Sequence, residues 1–252
     1  MSIPIPKICR NLFLLSVLAC LSGSPLYAQV KRTAKVPETG PRGIVIDERL
    51  AALRESPNLN AYLLQRLSRG RPVAILGLKK QSDGITFYRV AVTRNTYGWL
   101  QAEAVATAYR PNDDERTWEL IQASDDYERI ARARIFLDMF PRAPRRAAVL
   151  LLLGDEAEII ANRLSREASR RLAEEKMAAR APARSYFMNY NGLDRYNRQG
   201  VTFVFDEKAK RYHYDGTVWR EITRRHPNSP ETAEARKRLE NLAAMMSETE
   251  AR

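Results

Sequence analysis

Between residues 44 and 105, clusters of β-branched and aromatic residues are interrupted every few positions by proline, glycine, asparagine or aspartate. That pattern leaves no room for a helix of ordinary length and favours short strands joined by tight turns. Ile44-Val45-Ile46 suits a short strand. Leu50-Ala51-Ala52-Leu53-Arg54 runs on toward Pro57-Asn58, where proline pushes Ser56 into an extended conformation. Residues 63 to 67 lead to Ser68-Arg69-Gly70, and Gly70 can take a positive φ. Residues 71 to 78 are a second strand, and Pro72, lacking an N–H, belongs at its start or on a sheet edge. Ser82-Asp83-Gly84 is a hairpin turn, followed by strand formers over residues 85 to 92. Asn95-Thr96-Tyr97-Gly98 turns into a last short strand at Trp99-Leu100. Several such strands within about sixty residues predict a small barrel or sandwich.

Four pieces recur in a recognisable order: Leu53-Arg54 with Pro57, Leu67-Ser68-Arg69-Gly70 with Val73 and Ile75, Phe87-Tyr88-Arg89-Val90, and Gly98-Trp99-Leu100. Together they resemble bacterial SH3-like domains over about a quarter of the chain. Phe87 stands where that family often has tryptophan, and residues 50 to 53 make a more apolar entry than is usual there. The resemblance implies an SH3-like β-barrel over residues 44–108, with a shallow groove for cell-wall peptides. It implies Tyr88, Tyr97 and Trp99 as groove aromatics and Arg54 as an anion contact. The competing reading makes Trp99 and Phe87 core residues and the barrel a spacer.

Residues 1–28 read as a bacterial secretory signal. Lys7 and Arg10 precede a ten-residue apolar run, residues 12 to 21, too short to span a bilayer. Leu26-Tyr27-Ala28 is an acceptable cleavage site, and a complete c-region favours cleavage there. In the other reading Val17-Leu18-Ala19-Cys20 is a lipoprotein box, Cys20 is lipidated, and a lipid anchor on Cys20 is the only membrane attachment. Cys9 and Cys20 are the only cysteines, so the processed chain has no disulfide and no catalytic thiol in either case. Residues 29–43 read as a flexible basic linker.

The formal net charge is +12, and it is unevenly placed. Residues 29 to 110 hold 14 Lys and Arg against 6 Asp and Glu, whereas residues 111 to 252 hold 26 against 24. The basic excess therefore sits on the strand-rich stretch and its leading linker, where it favours a polyanionic partner. Its bland alternative is solubility. Nucleic acid is favoured by the charge and disfavoured by the leader, so none is expected.

The second half, residues 113–252, is helical. Asp113-Asp114-Glu115 places acid at a helix start. Ser124-Asp125-Asp126 can cap a second helix, giving two helices or one bent one, and Pro141 stops it. Residues 147 to 153 are apolar all round and so belong in a core. Phe140-Pro141-Arg142-Ala143-Pro144-Arg145-Arg146-Ala147 parallels His226-Pro227-Asn228-Ser229-Pro230-Glu231-Thr232-Ala233, 86 residues on. In each copy one proline ends a helix and the next starts its partner, which predicts an αα-hairpin. These turns resemble the tetratricopeptide-like hairpins of bacterial envelope proteins, although two copies at this distance do not make a tandem array. The aromatic-rich insert at about residues 185–216 reads either as a β-hairpin around residues 201 to 214 or as irregular chain packed on the helices.

No H-x-x-x-D, H-E-x-x-H, G-x-S-x-G or phosphate-cradling glycine loop is present, and the only histidines are His213 and His226. His213, in Tyr212-His213-Tyr214, reads as a packing or hydrogen-bonding residue. No catalytic residue, metal site or cofactor is expected. The fold class is multidomain β + α, a small SH3-like barrel followed by an α-helical hairpin or bundle domain. The expected function is non-enzymatic: an exported cell-envelope interaction protein, its barrel on cell-wall polymer or an envelope protein and its helices a scaffold. The alternative is an accessory or targeting subunit of a cell-wall hydrolase, or an unrecognised hydrolase.

Overall fold

A computed structural model describes residues 40–174 and 180–251. The leader, Cys20 and most of the linker lie outside the described residues. The described chain is mixed β and α, and belongs to one compact unit. Seven strands come first: β1 Arg42–Val45, β2 Ala52–Arg54, β3 Leu63–Arg66, β4 Pro72–Lys80, β5 Thr86–Thr93, β6 Thr96–Gln101 and β7 Val105–Ala106. β1 takes up Arg42 and Gly43, the last residues read as linker. Pro72 opens β4, and Gly70 and Gly84 hold the positive φ values their turns need, 80° and 86°.

All ladders are antiparallel, in the order β3-β2-β6-β5-β4-β1-β7. The expected closed barrel does not form, because no ladder joins β3 to β7. The reason lies at β7, a strand of two residues not recognised in the sequence. The Val105 carbonyl accepts from Arg110 Nη2 at 2.9 Å and Arg116 Nη2 at 2.8 Å. Arginines beyond the sheet therefore occupy that end, and among the described residues β3 is left as a free edge.

Strand alternation makes β1 common to two cores. Val45 points inward with Leu53, Val73, Tyr88, Val90 and Leu100, forming a core on one face of the sheet. Ile44 and Ile46 point the other way and join Ile121, Ile130, Phe136 and Leu150 of the helices. Just past β1, buried Asp47 accepts from Arg49 Nε at 2.9 Å and Nη2 at 2.6 Å. That side-chain hydrogen bond, partly opposed by burial, holds the Asp47 carboxyl below the usual carboxylate range. A carboxylate with a lowered folded pKa adds stability above its unfolded pKa and loses it as pH falls through the folded value. Asp47→Asn should therefore flatten the acid limb of a stability-against-pH profile from urea unfolding; an unchanged limb would show that Asp47 adds nothing there.

The helices are α1 Asp113–Gln122, α2 Asp126–Met139, α3 Arg146–Glu174, α4 Ala183–Met188, α5 Asp194–Asn197, α6 Thr217–Arg225 and α7 Glu231–Ala251. α2 with α3 and α6 with α7 form two hairpins across the Pro-x-x-Pro turns. Pro144 falls just ahead of α3 rather than in its first turn. Asp125 occupies the N-cap of α2 but makes no side-chain cap; Glu156 of α3 instead accepts the Asp126 N–H at 2.8 Å.

The insert does form a β-hairpin, β8 Phe203–Asp206 with β9 Arg211–Tyr214. The free edge of β9 is satisfied by α3 side chains: Tyr212 N donates to Ser165 Oγ at 2.7 Å and Tyr214 N to Glu158 Oε2 at 2.7 Å. Glu158 Oε1 also lies 3.1 Å from His213 Nδ1, so His213 is buried in a hydrogen-bonded position. Phe187 stacks on Phe205 at 4.5 Å, and Tyr214 meets Trp219 edge-on at 5.2 Å.

Candidate functional site on the outer sheet face

Along β6, Gly98 and Leu100 turn to the core while Tyr97 and Trp99 face outward. Gly98 is required there by close approach. A Cβ on it would lie 2.7 Å from Leu53 Cγ and 2.8 Å from the Arg54 carbonyl oxygen. Its absence lets β2 seat against β6 in the register that pairs Arg54 with Trp99. Arg54 pairs in turn with Leu63, and Trp99 with Arg89. Leu63, Arg54, Trp99 and Arg89 thus form one row across β3, β2, β6 and β5, with neighbouring strands about 4.8 Å apart.

The four residues singled out by resemblance separate in the fold. Trp99 is half-buried and Tyr97 is 46% exposed, with its hydroxyl donating to the Arg94 carbonyl at 2.6 Å. Both are on the outer face. Arg54 is there too, but its Nη1 donates to the Ala61 carbonyl at 2.7 Å, so it clamps the β2–β3 loop. Arg89, across from Trp99 on β5, is exposed and has no carboxylate partner among the described residues. Tyr88 is on the opposite side: 2% exposed, packed in the sheet core, with its hydroxyl pKa raised by that burial. It pairs with Leu100 and cannot line an outer groove. Phe87 is buried as well.

Sequence reasoning missed β3. All four of its residues are exposed, among the described residues it pairs with β2 alone, and Leu59, Tyr62, Leu63 and Leu64 on it or just before it are exposed large apolar side chains. Scattered exposed apolar residues are ordinary; several beside an unpaired strand edge make a candidate docking surface. The available signal was Leu63-Leu64 beside Gln65-Arg66, two adjacent apolar residues where an alternating strand would have one. Arg66, Lys79, Lys80 and Arg94 are exposed on the same sheet, which makes its field positive.

Among the described residues, no group of three or more His, Cys, Asp and Glu is placed to hold a metal, and no helix is long and apolar enough to cross a membrane. Comparison of the chain with protein-family models, curated proteins and solved structures gives no match.

Proposed function

We propose that this is a non-enzymatic, exported envelope interaction protein whose sheet is an SH3-like module that takes an extended peptide along β3 and over the Arg54-Trp99-Arg89 row. The helical half is the scaffold. The observation that carries the reading is the exposed, apolar edge of β3, unpaired among the described residues, with a half-buried tryptophan flanked by arginines one strand further in, across β2. An edge strand supplies main-chain donors and acceptors for an added strand, and the neighbouring side chains supply selectivity. The quoted SH3-like pieces Leu53-Arg54 and Gly98-Trp99 meet at this surface, which supports the same reading. The leader supports export.

Retention of the full chain on purified cell-wall polymer and on an envelope-protein fraction, each at low salt, separates the two kinds of partner. Trp99→Ala should lower retention on the true partner about tenfold or more, as removal of a central aromatic anchor does. Leu64→Lys should do so as well, by placing charge on the edge. Both positions are at least partly exposed, so circular dichroism should be unchanged. Wild-type retention on neither material, or retention indifferent to both variants, would rule the surface out.

A further inference from the structure

A second cleft lies in the helical half. Arg163, Glu167 and Arg171 follow one face of α3 at four-residue spacing, and Asp194, Arg195 and Arg198 stand across from them on α5 and its C-terminal end. The space between measures about 500 Å³. Two of its arginines are fixed from behind. The hydroxyl of buried Tyr196 accepts from Arg163 Nη2 at 2.6 Å and from Arg195 Nη2, and donates to Asp126 Oδ1 at 2.5 Å. Arg163 also donates to Asp126 at 2.8 Å and to Glu167 at 3.1 Å. The Arg195 guanidinium lies over the rings of Tyr196, at 4.7 Å, and Tyr127, at 5.3 Å.

The pairing leaves donors over. Every side-chain hydrogen bond Arg195 makes among the described residues leaves from Nη2, so Nε and Nη1 keep theirs. Arg171 sits 6.0 Å over the Tyr190 ring, and Arg198 is exposed. Neither has a carboxylate partner among the described residues. A purely structural ion-pair network would match its arginines; here Glu167 and Asp126 are taken up by Arg163 and Arg195, so two guanidiniums on the same cleft remain against one carboxylate, Asp194, which makes no ion pair among the described residues. Asp126 also holds φ at 48°, a left-handed conformation uncommon outside glycine, while it orients both inner arginines. Planar guanidinium forks match the oxygens of phosphate better than point charges do.

We propose that this cleft binds a compact polyoxyanion of the phosphate class, gripped by Arg171, Arg195 and Arg198, with Arg163, Tyr196 and Asp126 as positioning residues. The site is independent of the sheet surface. Titration calorimetry of the full chain with inorganic phosphate, at ionic strength held constant with chloride, should show saturable binding. Arg171→Ala and Arg198→Ala should each weaken it about tenfold, the scale of one lost charge-assisted contact. Arg198→Lys should fall in between, because the charge stays and the fork goes. Arg224→Ala, exposed on α6, and Trp99→Ala should change nothing, so failure here is distinct from failure of the sheet reading. Co-sedimentation with phosphatidylglycerol vesicles identifies the source. Pelleting that Arg198→Ala abolishes means a lipid-borne phosphate, and phosphate binding without pelleting means a soluble one. No saturable phosphate binding, or binding and pelleting that both ignore Arg171→Ala and Arg198→Ala, overturns the proposal.

Discussion

Asp113→Ala should cost the protein about 3 kcal/mol, toward the lower end of what removing one partner of a buried ion pair does. The Asp113 side chain is fully buried where the sheet passes into α1. One oxygen accepts the Thr107 N–H at 2.7 Å; the other accepts Arg110 Nε at 3.0 Å and Arg116 Nε at 2.6 Å. Those same arginines reach past it to the Ala102 and Glu103 carbonyls of the 3-10 turn after β6 and to the Val105 carbonyl of β7. Alanine would leave a buried N–H unsatisfied and both cations misplaced. The lower end applies because the two arginine side chains are partly exposed and can recover some water. Asp113→Asn, which keeps an acceptor for Thr107, should cost less. Urea unfolding measures both; a loss under about 1 kcal/mol for Asp113→Ala would mean that the Asp113 network adds little to the junction of sheet and helices.

Gly154→Ala should destabilise by about 2 kcal/mol, although helix propensity predicts the opposite sign. Gly154 lies inside α3, where alanine is normally favoured by roughly 0.5–1 kcal/mol. A Cβ there would lie 2.3 Å from Trp219 Nε1 and 2.8 Å from Cε2. Trp219 is itself buried and held edge-on by Tyr214, so it cannot swing aside. Overpacking of a filled core costs roughly 1–3 kcal/mol, and a contact this short belongs at or above the top of that range, enough to exceed the propensity gain. Thermal unfolding reads the sign directly. Adding Trp219→Leu should make the alanine less harmful than it is alone, a non-additive pair. Stabilisation by Gly154→Ala would show that α3 and α6 are farther apart than described.

Much of this fold was legible in the sequence because its causes are local. Pro72, Gly70 and the Asp83-Gly84 turn act within a few residues, so most strands fall close to where turn chemistry puts them. The paired Pro-x-x-Pro turns likewise mark both helical hairpins. Less of the candidate site was legible. Tyr88 and Tyr97 look alike in the chain, and alternation says only that neighbours oppose each other, not which side is core; the register against β6 decides that. Arg54 reads as an anion contact, but the loop carbonyl that occupies it comes from seven residues away.

What the sequence determined by itself was therefore the kind of most segments: short strands and turns over most of residues 44 to 100 and helices over most of residues 113 to 174 and 217 to 246, but not β3, β7 or the β8–β9 hairpin. Propensity and turn geometry act over one to a few residues and need no partner. Tertiary structure alone decided that the sheet stays open, that β3 is exposed, that α3 needs a glycine beneath Trp219, and that four arginines share one cleft. Each of those depends on which distant surfaces meet, a choice made by packing and pairing across the chain rather than by any residue's own preference.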